Sequence, residues 1–377
     1  MGVRFGILST YVPTQCGIAT FTEALAAHLQ RLGAQVEVVR MVDEPQPQVP
    51  PVVSQWVQRR PRDAATVAGV LDECDVALIQ HEYGIFGGAD GQDVLEVVER
   101  LSVPVITVLH TVLADPTPNQ RRVLASLCAA SSALVTMTQT ARSRLIAGWG
   151  IAPSRVSVIM HGAEDNRADP RDARPAFGLR PTVLTWGLLG EGKGIEWALL
   201  ALAQLRDLRP APLYRVVGQT HPRVREHEGE AYRDRLVALT TDLGLASMVQ
   251  FDAHYLSGPA LRQIVRDADI VLLPYDSRDQ VTSGVLTEAV AAGKPVISTA
   301  FPHAVELLSG GAGLLVPQRD PAALAAALRR LISEAGLADS MAAVSRTLAR
   351  SQLWPAVASS YLGLGHSLLA TSVKSIA

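Results

Sequence analysis

The chain has 377 residues, of which 48% are hydrophobic and 19% are charged, and its formal net charge is −2 at pH 7. This length and composition fit two globular domains and exclude a largely disordered chain. Because the near-zero net charge provides no overall basic field, we expect no nucleic-acid partner, and any anion-binding site must be local.

The cysteine content and the hydropathy pattern restrict the class of protein further. Cys16, Cys74 and Cys128 are scattered, without the pair spacing of a metal or disulfide site. No apolar run reaches the roughly 18–20 residues that span a bilayer, and the N-terminus has the pattern of a first strand rather than of a signal peptide. We therefore expect a cytoplasmic protein with no transmembrane segment, no metal and no cofactor.

The first half of the chain alternates apolar runs with helical patterns. It opens with the apolar run VRFGILST, a polar loop and the amphipathic segment IATFTEALAAHLQRLG. The next apolar runs are QVEVVRMV, DVALIQHEY, VPVITVLHT and ALVTMT; a proline-rich loop, PQPQVPPVV, follows the first of them, and RVSVIMHGAED closes the half. Continuous apolar runs are typical of parallel strands that are covered on both faces.

A polar, proline-rich stretch at residues 166–181 predicts a linker, and the same alternation restarts after it. The later strands are predicted in TVLTWGLL, LYRVVGQ, VQFDAHY, DIVLLPY and PVISTA. The predicted fold is therefore α/β, with two Rossmann-like doubly wound domains that face each other across a cleft and bind ligands at the carboxyl ends of their strands. The predicted domains are residues 1–170 and 171–350, followed by C-terminal helices at 351–377.

In the first half, candidate site residues follow the predicted strands. The loop around Gly17 precedes a helix whose N-terminus favours phosphate oxygens, or it is an ordinary tight turn with Gly17 in the left-handed region. His81 and His110 each end an apolar strand, at the edge where α/β folds hold ligands, and we expect at least one of them in the site. His161 ends another strand, and we expect a structural role for it.

In the second half, the stretch VLTWGLLGEGKGIE resembles a phosphate loop. Gly187, Gly192 and Lys193 match the pattern G-x-x-x-x-G-K-[ST]. At the last position, however, Gly194 replaces the Ser or Thr that would hold magnesium. No convincing acidic partner follows, with Asp276 the nearest candidate. A lysine that neutralises a diphosphate without metal therefore fits better than a nucleoside triphosphatase; a solvated lysine on a turn is the alternative.

Downstream, the stretch LLPYDSRDQVTSGVLTEAVAAGKPVIST places polar residues before a helix. Thr282, Ser283 and Gly284 offer small side chains and free backbone amides where the helix begins, so a second anionic or hydroxylated group can bind there. Gln280 and Glu288 can each bond hydroxyl groups of a sugar or ribose. An ordinary capped helix is the alternative, but it does not explain so many polar residues before the helix.

These motifs resemble the retaining glycosyltransferases of family 4, which have the GT-B architecture, over nearly the whole chain and most strongly at residues 183–316. The hallmark of that family is E-x7-E followed by AAGKPVI; here Gln280 and Glu288 occupy the two acidic positions. The resemblance implies that Glu288 holds the nucleotide ribose and that Gln280 meets the donor sugar. It also implies that Lys193 binds the diphosphate, while Leu188 occupies the position of a partner arginine.

The same resemblance assigns roles to further residues. Those expected to bind the donor, besides Lys193 and Glu288, are Gly17, Thr282, Ser283, Gly284 and Val285. The expected catalytic residues are His110, Lys193 and Gln280, of which His110 contacts the donor sugar. The residues expected on the acceptor side are His81, Glu82 and Tyr83. The stretch SQLWPAVASSYLGL, with Trp354, resembles the family's C-terminal helix that crosses back onto the first half.

The resemblance implies a retaining, metal-independent transfer of a hexose from a nucleoside-diphosphate sugar to a hydroxyl group. We expect GDP-mannose or a UDP-hexose as the donor, with mannose favoured, and a sugar, a lipid-linked molecule or a small molecule as the acceptor. Two alternatives stay open. One is another GT-B enzyme, such as a sugar-nucleotide epimerase. The other is a protein that binds sugar nucleotides without catalysis, which the substitutions at Leu188 and Gln280 favour.

Overall fold

The computed structural model describes residues 2–58, 63–167, 180–277 and 279–376, with side chains described as far as residue 371. The chain divides into two compact units. Unit 1 comprises Met1–Gly162 and Trp354–Ala377, and unit 2 comprises Ala163–Leu353. Most of the predicted linker at 166–181, namely residues 168–179, lies outside the described residues.

The changes of unit after Gly162 and Leu353 differ from the boundaries expected after residues 170 and 350. The reason is that residues just after Gly162 already bind unit 2. The side-chain amide of Asn166 donates to the backbone oxygen of Arg262 at 3.0 Å and accepts from the guanidinium of Arg266 at 2.7 Å. Unit 2 therefore begins before the polar stretch that suggests a linker in the sequence.

Unit 1 is built on a parallel sheet. Among the described residues its strand order is β3-β2-β1-β4-β5-β6-β7, with strands β1 (Arg4–Ser9), β2 (Gln35–Val42), β3 (Val52–Val57), β4 (Val76–His81), β5 (Val105–Leu109), β6 (Ala133–Thr136) and β7 (Val156–Val158). Every residue from Phe5 to Ser9 of β1 is buried, as expected for a central parallel strand that is covered on both faces.

Strand β3 corrects the assignment of a loop from the sequence. Val52 and Val53, assigned there to a proline-rich loop, begin this edge strand, which pairs in parallel with β2. Val52 and Trp56 are buried, whereas Val53 is exposed. A short edge strand that is only partly buried gives a weak apolar pattern, and the prolines directly before it conceal its start.

The helices of unit 1 that precede residue 163 are α1 (Gly17–Arg31), α2 (Ala64–Asp72), α3 (Val94–Val98), α4 (Pro118–Ala130) and α5 (Gln139–Trp149). Side-chain caps mark the start of α1, α4 and α5. Before α1, the Cys16 side chain accepts from the amide of Ala19. Before α4, Thr117 and Gln120 form a capping box, in which each side chain accepts from the other's backbone amide. These caps fix where the helices after β1 and β5 begin.

Unit 2 repeats the architecture. Its strands are β8 (Thr182–Trp186), β9 (Leu213–Val217), β10 (Val249–Asp252), β11 (Ile270–Leu273), β12 (Val296–Thr299) and β13 (Gly313–Val316). In the described part of the chain they form a parallel sheet in the order β10-β9-β8-β11-β12-β13. Both sheets match the prediction of an α/β fold with two Rossmann-like, doubly wound domains.

The helices of unit 2 are α6 (Ile195–Leu202), α7 (Pro222–Glu228), α8 (Ala231–Asp242), α9 (Gly258–Asp267), α10 (Gly284–Ala291), α11 (Pro302–Leu308), α12 (Pro321–Ser333) and α13 (Leu337–Gln352). The final helix, α14 (Trp354–Ile376), belongs to unit 1, where Val357 and Tyr361 share a core with Leu25 and Leu29 of α1. Within the described residues, no helix combines the length and the apolar character needed to cross a membrane.

The strand order of each sheet reverses at the unit's first strand. β1 lies between β2 and β4, and β8 lies between β9 and β11. At such a reversal the connections leave toward opposite faces of the sheet, and a crevice opens at the carboxyl ends of the strands. The loops after β1, β4 and β5 in unit 1, and after β8, β11 and β12 in unit 2, are therefore the places to look for bound ligands.

Candidate functional site

The loop between β8 and α6 explains why the phosphate-loop pattern stops short. Gly194 caps α6 with a φ of +64°, in the left-handed region. A Cβ atom at this position would lie 1.9 Å from the backbone oxygen of Pro274. Serine or threonine therefore cannot replace Gly194 without displacing the backbone, and the loop does not offer the magnesium ligand of a phosphate loop.

Lys193 lies over an aromatic ring. Its Nζ is 4.4 Å from the centre of the Tyr275 ring. Tyr275 is buried and stacks on Phe301, with ring centres 5.4 Å apart. A cation above an aromatic face is attracted by the ring quadrupole, so this stack gives the ammonium a defined position. Burial lowers the pKa of His221, and the nearby charges of Arg223 and then Lys193 lower it further, which puts other basic side chains close to Lys193.

Asp276, the acidic candidate for a triphosphatase site, already forms an ion pair with another residue of unit 2. Its carboxylate lies 3.1 Å from the guanidinium of Arg319. In the part of the chain that the structure describes, no group of three or more histidine, cysteine, aspartate or glutamate side chains is arranged to hold a metal ion. Asp276 is therefore an ion-pair partner of Arg319.

The start of α10 corrects one expectation from the sequence, that the amides of residues 282–284 are all free. The backbone amide of Ser283 donates to Nδ1 of His303 at 2.9 Å, while its Oγ accepts from the amide of Leu286 at 3.2 Å. The next two amides, those of Gly284 and Val285, have no acceptor among the described residues. We call these two the open amide pair; at a helix N-terminus they favour an anion.

The loop of Lys193 and the start of α10 are neighbours. A Cβ atom at Gly187, in the loop after β8, would lie 3.6 Å from the side chain of Val285. At the end of β8, the indole Nε1 of Trp186 donates to the carboxylate of Glu288 at 3.3 Å. The two anion-binding elements that the sequence predicts separately therefore border the same edge of the unit 2 sheet.

Glu288 is a partly buried carboxyl group with a perturbed pKa. Burial raises the pKa of Glu288 to about 7, against the opposing effects of the Trp186 hydrogen bond and the charge of Arg262, while the charge of Glu164 adds a smaller increase. Near neutral pH the carboxyl group is therefore populated in both protonation states. It can accept a hydrogen bond from a hydroxyl group or donate one.

Gln280 and Thr282 lie in the loop before α10. The side-chain amide of Gln280 donates to the backbone oxygen of Thr282 at 3.1 Å, so it closes its own loop. The hydroxyl of Thr282 is buried and has no hydrogen-bond partner within the described residues. Because a buried unpaired hydroxyl is costly, Thr282 is a candidate contact for a bound polar group.

In unit 1, Gly17 is the first residue of α1. Its φ is not among the left-handed values of the chain, so the alternative of a tight turn with a left-handed Gly17 is wrong. A Cβ atom here would have nothing within 4 Å, and the space before the helix is open. The amides of Gly17 and Ile18 have no acceptor in the described part of the chain. Unit 1 thus also presents open amides after its first strand.

His110 lies in a neutral setting after β5. Its ring is edge-on to that of Phe21, with centres 5.2 Å apart, and its Nε2 donates to the side-chain oxygen of Gln80 at 2.7 Å. Burial, with smaller contributions from His161 and His81, lowers the pKa of His110 to about 3. The ring is therefore neutral at physiological pH, suited to hydrogen bonding with a hydroxyl group and weak as a base.

His161 and His81 complete this neutral cluster. The ring of His161 packs on Phe21, with centres 5.0 Å apart, and its Nδ1 donates to the backbone oxygen of Gly162 at 2.8 Å. His81 is fully buried, and neither of its ring nitrogens has a partner among the described residues. Burial lowers the pKa of each to about 4. His161 therefore shares a cluster with His110, and its structural role stays a prediction.

Glu82 and Tyr83 follow β4 directly. The carboxylate of Glu82 accepts from the hydroxyl of Thr111 and, at 3.0 Å, from the amide of Tyr83. Burial raises the pKa of Glu82, and these two hydrogen bonds oppose the shift. Tyr83 is edge-on to His81, with ring centres 5.0 Å apart, and the amide of His110 donates to the backbone oxygen of His81. These residues therefore share the carboxyl ends of β4 and β5.

Two contributors to these sites were not predicted from the sequence. His303 of α11 binds the start of α10, and Phe21 of α1 packs on both His110 and His161. The available signals were the position of His303 shortly after a buried strand and that of Phe21 one turn after Gly17. Neither position specifies a contact by itself, because each partner lies on a different strand or helix.

Comparisons with known proteins agree with the motifs. Residues 16–167 match the model of Glycosyltransferase Family 4, and residues 180–334 match that of Glycosyl transferases group 1. A D-inositol 3-phosphate glycosyltransferase of Rhodococcus opacus (strain B4) is 31% identical over 314 residues, covering 77% of this chain and 68% of the relative. The chain belongs to the family 4, group 1 glycosyltransferases. The resemblance seen in the sequence is thereby confirmed.

Solved structures share the fold of this glycosyltransferase. Anabaena HepE in complex with UDP and glucose superposes with a TM-score of 0.77 at 17% identity, over 97% of this chain and 100% of HepE. Sucrose-phosphate synthase from Thermosynechococcus elongatus superposes with a TM-score of 0.76 at 18% identity, over 98% of this chain and 100% of the synthase. The predicted GT-B fold is therefore confirmed.

Proposed function

We propose that this glycosyltransferase moves a hexose from a nucleoside-diphosphate sugar to a hydroxyl group, with retention of configuration and without a metal ion. The observation that carries the proposal is that Lys193 and the open amide pair of Gly284 and Val285 border one edge of unit 2. The leaving diphosphate gains negative charge as the glycosidic bond breaks. A fixed cation and two oriented amides stabilise that charge without reorganising during the reaction.

The groups around this edge account for the rest of a donor. Glu288, with a pKa raised by burial to about 7, can exchange hydrogen bonds with the hydroxyl groups of a ribose. The unpaired hydroxyl of Thr282 and the amide of Gln280 offer further contacts for the sugar or the phosphate. In this arrangement Lys193 serves the diphosphate, Glu288 the nucleoside and Gln280 the hexose.

Retention follows in the proposal from a front-face displacement. Gln280 is neutral and cannot attack as a carboxylate nucleophile would. The acceptor hydroxyl attacks the anomeric carbon on the face from which the phosphate leaves, and the departing phosphate oxygen takes the hydroxyl proton. In unit 1, the neutral ring of His110 and the group formed by His81, Glu82 and Tyr83 offer hydrogen bonds to the hydroxyl groups of the hexose and the acceptor.

The donor that the sequence favours is GDP-mannose. A UDP-hexose is the second candidate, because HepE, which shares this fold, forms a complex with UDP and glucose. The relative from Rhodococcus opacus is a D-inositol 3-phosphate glycosyltransferase, so inositol phosphates are the first acceptors to test, before sugars and lipid-linked acceptors.

Ligand-induced thermal stabilisation tests the donor half of the proposal. A ligand that binds only the folded protein raises its melting temperature. We expect GDP and GDP-mannose, or UDP and its sugars, to raise the melting temperature equally with EDTA and with magnesium. Stabilisation by a nucleoside triphosphate with magnesium alone would contradict the proposal.

A transfer assay separates the proposed reaction from its alternatives. Transfer predicts free nucleoside diphosphate and a glycosylated acceptor in equal amounts, with the anomeric configuration of the donor kept in the product. An epimerase would change the sugar without transferring it to an acceptor. A binding protein would be stabilised by the donor and would form no product with any acceptor in the panel.

A further inference from the structure

Residues 299–303, which run from the last residue of β12 to the second residue of α11, contact both predicted anion-binding elements of unit 2. Phe301 stacks on Tyr275, the ring beneath Lys193. His303 accepts through Nδ1 from the amide of Ser283 at 2.9 Å. We call residues 299–303 the support segment. None of its side chains has a role in the function proposed above.

We propose that His303 is a positioning residue that holds the start of α10, and with it the open amide pair, in the arrangement that receives the donor diphosphate. This inference rests on the proposed function, because it assigns His303 to the same donor site. His303 does not itself bind the donor in this scheme. It acts through Ser283 and through the loop that carries Gln280.

Two contacts from one residue fix that loop. Nδ1 of His303 accepts from the amide of Ser283, and the backbone amide of His303 donates to the backbone oxygen of Gln280 at 3.4 Å. Ser283 is also the N-cap of α10, since its hydroxyl accepts from the amide of Leu286. His303 therefore holds both ends of residues 280–283, directly before the open amide pair.

The chemistry of the contact requires an acceptor at this position. A backbone amide can only donate, so Nδ1 of His303 carries no proton and the ring proton lies on Nε2. Ser283 and His303 are both buried, with 3% and 6% of their surface exposed. An apolar side chain in place of His303 would leave the amide of Ser283 without an acceptor in a setting from which water is largely excluded.

The consequence for the donor follows from the helix geometry. The open amide pair occupies the two positions directly after Ser283, so a rotation of the Ser283 peptide changes the direction of these amides. The phosphate would then meet poorly aligned dipoles, while the ammonium of Lys193 stays over Tyr275. We therefore expect the loss of His303 to weaken binding of the nucleoside diphosphate itself.

The test compares His303→Leu, which has no acceptor, with His303→Asn, whose side-chain oxygen can take the place of Nδ1. Leu308→Ala is the matched control, because Leu308 is buried in the same helix and its substitution leaves a cavity without removing a hydrogen-bonding group. For each variant we would measure the melting temperature, the dissociation constant of GDP and UDP by calorimetry, and the donor KM and kcat. The probes are these diphosphates, whichever the wild-type protein binds.

We expect His303→Leu to weaken diphosphate binding and raise the donor KM by about tenfold or more. His303→Asn should stay within about threefold of the wild type, and Leu308→Ala should lower the melting temperature without changing the dissociation constant. Unchanged binding in His303→Leu would overturn the inference. The inference would also be overturned if His303→Asn lost as much diphosphate affinity as His303→Leu. The same holds if Leu308→Ala, with the same melting temperature as His303→Leu, lost as much affinity.

If His303→Leu does not fold, the comparison of His303→Asn with His303→Gln takes its place, because the side-chain oxygen of glutamine lies one bond farther from the backbone than Nδ1 of histidine. Weaker diphosphate binding by His303→Gln than by His303→Asn supports the inference, and equal binding by the two variants contradicts it.

A wild-type protein that transfers no sugar and binds no nucleoside diphosphate refutes the proposed function. A wild-type protein that does both while His303→Leu matches it refutes the role of His303 alone.

Discussion

Units 1 and 2 are built on the same kind of parallel sheet, and both present open amides after a strand, yet the side chains at the corresponding edge differ in charge. In unit 2, the loop after the first strand carries Lys193, whose ammonium lies over Tyr275, and the same loop borders the start of α10 with its open amide pair. In unit 1, the strands around the same position end in the neutral rings of His81 and His110, with Phe21 packed on His110. The parallel sheet places the carboxyl ends of the strands at one edge in each unit, and the side chains in the following loops set the charge of that edge.

The difference teaches what each unit can bind. A cation with two open amides suits a diphosphate. Neutral imidazole rings and the partly buried carboxyl group of Glu82 suit hydroxyl groups, because they exchange hydrogen bonds without a strong field. The proposed division of labour, with the nucleotide on unit 2 and hydroxyl groups on unit 1, follows from this contrast.

The largest expected effect comes from removing the cation of unit 2. We expect Lys193→Ala to lower kcat/KM by about 100- to 1000-fold, since a preorganised charge at the leaving group is lost. Arg223→Ala is the matched control, a nearby basic residue expected to matter far less. Steady-state kinetics at saturating acceptor would measure both. Near-normal turnover of the Lys193 variant would remove the main contrast between the units.

A second variant tests whether the loop of Lys193 depends on Gly194. We expect Gly194→Ser to destabilise the protein by about 3 kcal/mol, because the position is left-handed and a Cβ atom meets the Pro274 oxygen. Gly310→Ser is the control, since a Cβ atom there has nothing within 4 Å. Thermal or urea unfolding would show the difference. A stable serine variant that hydrolyses a triphosphate with magnesium would contradict our interpretation of the loop.

Glu288 in unit 2 and His110 in unit 1 predict opposite pH responses. The folded pKa of Glu288, about 7, lies above its ordinary value of 4.5, so the stability it contributes at low pH is lost as the pH rises from about 4.5 to 7. Glu288→Gln removes this loss. The melting temperature of Glu288→Gln minus that of the wild type should therefore increase as the pH rises from about 4.5 to 7. A constant difference between the two proteins would show that Glu288 titrates normally.

His110 should behave in the opposite way. Its folded pKa of about 3 lies below its ordinary value of 6.5, so the unfolded chain takes up a proton first and stability is lost as the pH falls below about 6.5. His110→Gln should therefore lose less stability than the wild type between pH 6.5 and 5. Calorimetry of both proteins over this range would measure it, and parallel curves would contradict the neutral cluster.

The smallest expected effect on stability is that of Gly17→Ala. A Cβ atom at Gly17 meets nothing within 4 Å, and its φ is not left-handed, so stability should change by less than about 1 kcal/mol. A drop in turnover at unchanged melting temperature would show that a ligand approaches the open amides of unit 1. Unchanged turnover would indicate that no ligand binds at the start of α1, in contrast to the role proposed for the start of α10.

The sequence predicted much of this arrangement from local patterns. Apolar runs that end in polar residues predicted strands with ligands at their carboxyl ends, and this brought Lys193, Glu288, His81 and His110 into consideration. The motif around Glu288 predicted the family. What failed was also local: β3 was hidden behind prolines, and the amide of Ser283 was taken as free although His303 binds it.

Composition, apolar periodicity and the two motifs of the second half determined the fold class and the family, because they depend on neighbours in the chain. Only the tertiary structure decided why position 194 must be glycine, where the ammonium of Lys193 rests, and how the pKa values of Glu288 and His110 move in opposite directions. Each of these depends on atoms contributed by distant strands and helices, and on the water that their packing excludes. A local sequence pattern contains no information about those distant atoms or about the exclusion of water.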